Sequence, residues 1–346
     1  MNELLISFYT ARAGIAIPIL PCYTFLYTDL TAIEWIKWTL YHVLMQEAFE
    51  TVEQQKLLMI VNPRAGKNKP ANPLFNAAAK LSEAGYLLSV RRTQAGGDAA
   101  RIAAAEAAHY DVCVAVGGDG TLNETVSALV EMENPPLLGY FPQGSTNDFA
   151  ACLKIPSDPE AAADAILRRE ERFLDVGFWN ARSFVYVASF GAFTKSSYSA
   201  SQSAKNALGH FAYILEGMKD LDSLRSYRVK LTADGEVLDG EYLFGAVCNS
   251  TSIGGLMKLD PERVVLDDGR FELLLIPNPK NATDLQNLIL SLLDQKYDRE
   301  GLVFRHVSSV HVETREDLPW SLDGEYAPSM PVVDIVNRQR ALKMLL

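Results

Sequence analysis

The sequence predicts an α/β plus all-β fold: a Rossmann-like parallel sheet first, then a β-sandwich. Three observations carry this. From residue 56 to about 170, short apolar runs alternate with helical periods, as in βαβ units whose helices cover both faces of a sheet. Beyond that point β-branched and aromatic runs follow one another, several joined by Asp-Gly turns. At 346 residues, the chain is longer than one hydrophobic core usually organises.

Taken in order, Lys56–Asn62 (KLLMIVN) is an apolar strand that ends at Pro63 and Gly66. Asn72–Ala84 has helical spacing and stops at Gly85. Tyr86–Thr93 is a strand, and Gly97–His109 an alanine-rich helix. Asp111–Val116 is a buried strand entering Gly117–Thr121, with an amphipathic helix over Leu122–Glu131. Leu137–Phe141 is a fourth strand before Pro142, and Asp158–Arg169 the last helix of this part. The later strands are Leu174–Asn180, Phe184–Phe190, Tyr227–Ala233, Glu236–Cys248, Val264–Pro277, Val307–Thr314 and Val332–Val336. Helical stretches at Ser203–Leu224 and Asn281–Leu293 interrupt them. The expected division is an N-terminal extension (1–55), an α/β domain (56–178) and a β-rich domain (179–346). The end of the last domain returns as a strand whose partner the sequence does not place.

Composition narrows the function. With 48% hydrophobic and 22% charged residues the chain can bury a large core. A net charge of −11 argues against a general nucleic-acid binder. Contact with an anionic membrane would need a local basic patch or apolar insertion. Cys22, Cys113, Cys152 and Cys248 form no C-x-x-C pair. Cys113 and Cys248 lie in apolar runs and are expected to be buried thiols in a reducing cytoplasm. The uncharged run Ala13–Thr28 carries Pro18 and Pro21 and is shorter than the about 20 residues of a spanning helix. Residues 31–54 read as an amphipathic helix, with Ile33, Trp35, Ile36, Trp38, Leu40 and Tyr41 on the apolar side. Met45 is a natural initiator, so the preferred expectation is a start placed too far upstream; a peripheral anchor and a packed extra helix are the alternatives.

Three polar loops follow consecutive strands. Gly117-Gly118-Asp119-Gly120-Thr121 opens a helix, where glycines admit an anion to backbone N–H groups. It is neither a Walker A loop nor G-x-G-x-x-G. Asp119 would repel a bare phosphate, so it fits a phosphate arriving with Mg²⁺, a hydroxyl to be oriented, or a simple cap. Pro142–Ala150 offers Ser145, Thr146 and Asn147 as donors to phosphate or sugar, and Asp148 for metal or ribose. Asn62, Pro63, Arg64, Ala65, Gly66 and Lys67 add an amide, a glycine and two cations. Such loops lie at the carboxyl ends of parallel strands, where ligands bind. Together they argue for a nucleotide.

The trio N-P-x-x-G, G-G-D-G-T-L-N-E and G-x-x-N-D-F-A resembles the diacylglycerol kinase catalytic domain family, which includes bacterial lipid kinases (YegS-like) and sphingosine kinases. The resemblance runs from about Lys56 to the C-terminus through Asp175-x-Gly177, Phe190-Gly191-Ala192, Lys205–Tyr213, Asn249 with Gly254-Gly255, and Asp323-Gly324-Glu325. It implies a sheet of the kind NAD kinases and diacylglycerol kinases share. It also implies ATP held by Asn62–Gly66, Thr93, Gly118, Asp119, Gly120, Thr121, Leu122, Asn123 and Glu124. Ser145 stands where the family usually has threonine and keeps the hydroxyl. Val264–Phe271 is similar to the family's structural Mg²⁺ site, with the Asp268 carboxylate and the carbonyls of Val265 and Arg270. The D-G-E triplet occurs three times, and the first two copies, at Asp234 and Asp239, read as hairpin turns. The third recommends Glu325 as general base, with Asp119 and Asp323 as acidic companions.

The reading is an ATP- and Mg²⁺-dependent lipid kinase, cytoplasmic and peripheral at the inner face of the membrane, with a lipid partner and no nucleic acid. Ser203–Leu224 reads either as a helix packed on the β-domain or as a lip admitting an acyl chain. Two alternatives are an NAD kinase-like enzyme, which shares G-G-D-G, and an ATP-binding module without catalysis. The identity of the lipid and the oligomeric state, a homodimer included, stay open.

Overall fold

Strand β1 (Lys56–Val61) buries Leu57, Leu58, Met59 and Ile60 completely or nearly so. Its neighbours are β2 (Leu87–Arg92) and β3 (Val112–Gly117), and β4 (Leu137–Pro142) extends the parallel sheet as β4-β3-β1-β2. Near-continuous apolar strands are what a sheet covered on both faces needs. The helices α1 (Asn72–Glu83), α2 (Asp98–Glu106), α3 (Asp119–Leu129), α4 (Asp148–Leu153) and α5 (Pro159–Arg168) follow the strands. Ala77 and Leu81 of α1 and Ala162 and Ile166 of α5 pack with Leu57, Met59, Val112 and Val114. Ile102 of α2 and Leu122 and Val126 of α3 pack with Leu58, Ile60, Cys113 and Ala115 on the other face.

A computed structural model describes residues 37, 39, 54–65, 72–191, 225–253, 257–259, 264–293 and 302–346. The readings at 203–224, nearly all of 31–54, Gly66 and Lys67, Ala192 and Gly254-Gly255 lie outside these residues. Among the described residues, no helix is long and apolar enough to cross a membrane.

The second half is mostly antiparallel: β5 (Glu171–Trp179), β6 (Arg182–Phe184), β7 (Val187–Gly191), β8 (Tyr227–Ala233), β9 (Glu236–Cys248), the short pair β10 (Ser252–Ile253) and β11 (Met257–Lys258), β12 (Phe271–Pro277), α6 (Ala282–Leu293), β13 (Val303–Val307), β14 (Ser309–Glu313), β15 (Trp320–Leu322), β16 (Glu325–Ala327) and β17 (Val332–Leu345). The returning strand now has its partners. β17 pairs with β14 at its start, runs antiparallel along β5, and meets β4 in parallel at Met344 and Leu138. One continuous sheet, β16-β15-β7-β9-β8-β14-β17-β4-β3-β1-β2, therefore runs through both halves.

Several expectations need correction. The helix after the glycine loop begins at Asp119, so Asp119 and Gly120 form its first turn. A short helix, α4, occupies the Asn-Asp-Phe-Ala loop. Phe184–Phe190 is broken at Val185 and Tyr186, and Val264–Arg270 is loop, since Asp267-Asp268-Gly269 ends the strand pattern. Val307–Thr314 belongs to two strands, β13 and β14. Asp239-Gly240 is no turn. Asp234 (φ 44°) and Gly235 (φ 91°) already reverse the chain, and Gly240 pairs with Val229 inside the β8–β9 ladder. Cys113 and Cys248 are buried thiols, and burial pushes Cys113 up to about 12.

Glu272 on β12 is 2% exposed, between Cys248 of β9 and His306 of β13 in register. Its Oε1 lies 3.8 Å from His306 Nε2, and Oε2 is buried without a hydrogen-bond partner. Burial pushes this carboxyl up to about 8 from its ordinary 4.5, so the folded state keeps a proton that the unfolded chain releases. That contribution to stability is complete below pH 4.5 and is lost as pH rises through about 8. Glu272→Gln is expected to remove most of this slope and to stabilise the protein at neutral pH by about 2–4 kcal/mol. Denaturant midpoints at acid and alkaline pH read it. Equal slopes for both proteins would refute the assignment.

Candidate active site

The ends of β1, β3 and β4 bring the three loops together. Asn62 donates from its backbone N to Val116 O at 2.8 Å and from Nδ2 to Thr121 Oγ1 at 3.0 Å, tying the first loop to the second. Its Oδ1 accepts the Arg64 N–H at 3.0 Å, which shapes the turn through Pro63 and Ala65. The second and third loops touch backbone to backbone: a Cβ on Gly144 would lie 2.5 Å from Gly118 Cα. Gln143 N donates to Gly117 O at 2.7 Å beside this contact. Only glycine permits so close an approach. Thr93, at the end of β2, is buried and donates its N–H to Val61 O at 2.9 Å. Ser145 and Thr146 are exposed.

The polar side chains do work that the sequence did not disclose. Asp119 accepts N–H bonds from Asp148 (3.1 Å) and Phe149 (3.4 Å), so it caps α4 across the loop contact. Asn147 (φ 53°) folds back on its own loop, accepting from Gly144 N at 2.8 Å and donating to Gly144 O at 3.1 Å. Glu124 accepts from Gly97 N (2.8 Å) and Ala99 N (3.1 Å) and so caps α2, where Gly97 has no side chain to do it. Leu122 is buried in the core, leaving only its backbone for a ligand.

Burial raises the Asp119 and Asp148 carboxyls, Asp148 to about 6 with a further push from the Asp119 charge. The Tyr140 hydroxyl is raised by burial and then by both aspartates. Two destabilised carboxylates beside the cradle these loops form suit a divalent cation or a proton-handling role.

Facing this cradle is the hairpin β15–β16, turned by Asp323 (φ 47°) and Gly324 (φ 90°). Glu325 is exposed, and its Oε1 would lie only 3.1 Å from a Cβ on Gly120. The expected base therefore stands over the first turn of α3. Asp323 is 4% exposed and accepts from Val185 N (2.6 Å), Tyr186 N (2.9 Å), Val187 N (2.9 Å) and Asn123 Nδ2 (2.6 Å). Burial still pushes it up to about 6 against the pull of those four bonds. The Val185–Val187 amides were hidden in the sequence because Phe184–Phe190 reads as one unbroken strand.

The residues expected to hold a structural cation are on the loop before β12. Val265, Asp268 and Arg270 are exposed, and Asp268 Oδ1 accepts the Arg270 N–H at 2.9 Å. The buried Asp175 pins this loop, accepting from Gly269 N (2.7 Å), Arg340 N (2.8 Å) and Asn337 Nδ2 (3.1 Å) and donating its N–H to Leu266 O (2.8 Å). After burial, the Asp268 charge adds to the upward shifts of Asp175 and Glu272. An all-oxygen donor set with surplus negative charge fits Mg²⁺.

Residues 56–179 match the diacylglycerol kinase catalytic domain, and residues 187–345 match the YegS C-terminal NAD kinase β-sandwich-like domain. The diacylglycerol kinase of Bacillus subtilis (strain 168) is 34% identical over 291 residues, 83% of this chain and 95% of that protein. The chain belongs to the diacylglycerol kinase family. The diacylglycerol kinase of Staphylococcus aureus (strain MRSA252) is 33% identical over 290 residues, 83% of this chain and 91% of its own length. A solved diacylglycerol kinase structure from Bacillus anthracis str. Sterne superposes with a TM-score of 0.70 at 25% identity, covering 85% of this chain and 98% of that one. Membership makes the chain an ATP-dependent phosphotransferase acting on an alcohol, and the predicted fold class of the diacylglycerol kinases is the observed one.

Proposed function

We propose that the chain transfers the γ-phosphoryl group of MgATP to the hydroxyl of a lipid such as diacylglycerol. The observation that most supports this is the approach of Glu325 to Gly120, which sets a carboxylate over the start of the helix opened by the glycine loop. Amides at the start of α3, with Asn62, Thr121 and Ser145 beside them, would hold phosphate oxygens through hydrogen bonds and the helix dipole. As the lipid oxygen bonds to the γ-phosphorus, the bond to the β,γ-bridging oxygen breaks and ADP leaves. The hydroxyl proton passes to a Glu325 carboxylate oxygen. Mg²⁺, when bound, offsets the charge that develops on the phosphates. Asp119 and Asp148 would hold it, and Val265, Asp268 and Arg270 would hold a second, structural ion. In this reading the nucleotide binds on 56–178 and the lipid on 179–346, with the enzyme touching the cytoplasmic face of the membrane from outside the bilayer.

The test follows labelled phosphate from γ-labelled ATP after incubation with Mg²⁺, NAD and diacylglycerol-containing vesicles. Label in the organic extract as a phosphomonoester is the expected result. Label on an aqueous dinucleotide would point to an NAD kinase-like acceptor, and bound but unconsumed ATP to a silent module. Either would overturn the proposal.

A further inference from the structure

Asn123 sits inside the glycine-loop motif, where a contact with ATP is the expectation, yet its side-chain amide is engaged elsewhere. Nδ2 donates to Asp323 Oδ2 at 2.6 Å and lies 3.4 Å from Ser183 O. Two hundred residues separate the partners of the first bond. Asp323 Oδ2 accepts from Asn123 and Val185, and Oδ1 accepts from Tyr186 and Val187. Four donors fill the about four acceptor positions of a carboxylate. A saturated, buried carboxylate has nothing left with which to take a proton from substrate or to bind metal.

The placement of this bond is more informative than its strength. Asn123 and Gly120 are one turn apart on α3 and share a face of the helix. Asp323 and Glu325 flank Gly324 in the reversal between β15 and β16. The bond joins residue 123 to 323, and the close approach joins residue 120 to 325. The bond ties the hairpin to the helix one turn from the point where Glu325 approaches Gly120. Val185, Tyr186 and Val187 anchor Asp323 to the β-rich half independently of Asn123.

We infer that Asn123 and Asp323 form a latch that positions Glu325 over the start of the phosphate-binding helix, a role that rests on the phosphotransfer reading above. Both are positioning residues: they act on the reaction through Glu325 and through the seating of the hairpin against α3. Without the latch, Asp323 stays on its three backbone donors while β16, an edge strand, gains freedom relative to α3. Misplacement of a reacting group by about 1 Å costs on the order of 10²-fold in rate.

The test uses the full chain with Asn123→Ala, which removes the donor, and Asn123→Asp, which keeps the shape and opposes two carboxylates. MgATP affinity is measured by direct titration, turnover with diacylglycerol vesicles, and amide hydrogen exchange across both halves. Expected for Asn123→Ala are a MgATP Kd within about threefold of wild type and kcat lowered about tenfold or more. Exchange at Glu325–Ala327 should rise while Val185–Val187 stay protected, and Asn123→Asp should fall further in kcat. A MgATP Kd weakened tenfold with unchanged exchange would make Asn123 an ATP ligand instead and overturn the latch. So would kcat within twofold of wild type, or loss of the thermal transition in both variants. If the wild-type chain phosphorylates no lipid, the phosphotransfer reading fails; the exchange pattern still decides whether the bond holds the hairpin to α3.

Discussion

Glu325→Gln is expected to lose about 10²–10⁴-fold in turnover while binding MgATP as the wild type does, because general-base transfer contributes on that scale. Gln keeps the shape and the exposed position over Gly120 but cannot accept the hydroxyl proton. No buried hydrogen bond is lost with it. The folded state should therefore be unaffected, with a thermal midpoint near that of wild type. The loss should fall on kcat and kcat/KM alike, the signature of a group used only in the transition state. Near-normal turnover would remove Glu325 from the mechanism. A weakened MgATP affinity would assign it to nucleotide binding.

Gly144→Ala should damage the cradle at its seam. The new Cβ would lie 2.5 Å from Gly118 Cα, which is backbone, and 2.7 Å from Asn147 Oδ1, a side-chain end held by its hydrogen bond from Gly144 N. The β3–α3 and β4–α4 loops must move apart. That costs about 1–3 kcal/mol of stability, as overpacking generally does. The displaced Gly118 amide and the strained Asp119 cap on α4 should together weaken MgATP binding about tenfold or more, equivalent to about 1.4 kcal/mol. Gly96→Ala is the matched control. Its Cβ would meet only Glu124 Oε1 at 3.9 Å, an ordinary contact, so both properties should stay near wild type. Equal effects from the two substitutions would show that the Gly118–Gly144 contact is not what shapes the site.

The α/β half was legible because its signals are local. Apolar strands such as Lys56–Val61 and Val112–Gly117 end in glycine- or proline-bearing loops, and parallel topology places those loops on one edge. The Glu325 hairpin was legible through its order in the family motif, since Asp-Gly alone had misled at Asp239. What escaped depends on contacts between distant residues. The partners of β17 come from β4, β5 and β14, and strand pairing over such separations leaves no periodic trace. The same holds for Asn123 with Asp323, and for Glu124, whose carboxylate serves another helix. Val264–Pro277 was read too long because Val264, Val265 and Leu266 are apolar, whereas Asp175 holds that stretch as a loop from the other side of the chain.

A crystal structure of the full chain with Mg²⁺ and a non-hydrolysable ATP analogue puts the shared cradle to the proof. Phosphate oxygens are expected on the amides of Gly118 to Thr121, with Asn62 and Ser145 at the rim and the terminal phosphate turned towards Glu325. A triphosphate bound at another edge of the sheet, or one whose terminal phosphate points away from Glu325, would contradict this arrangement.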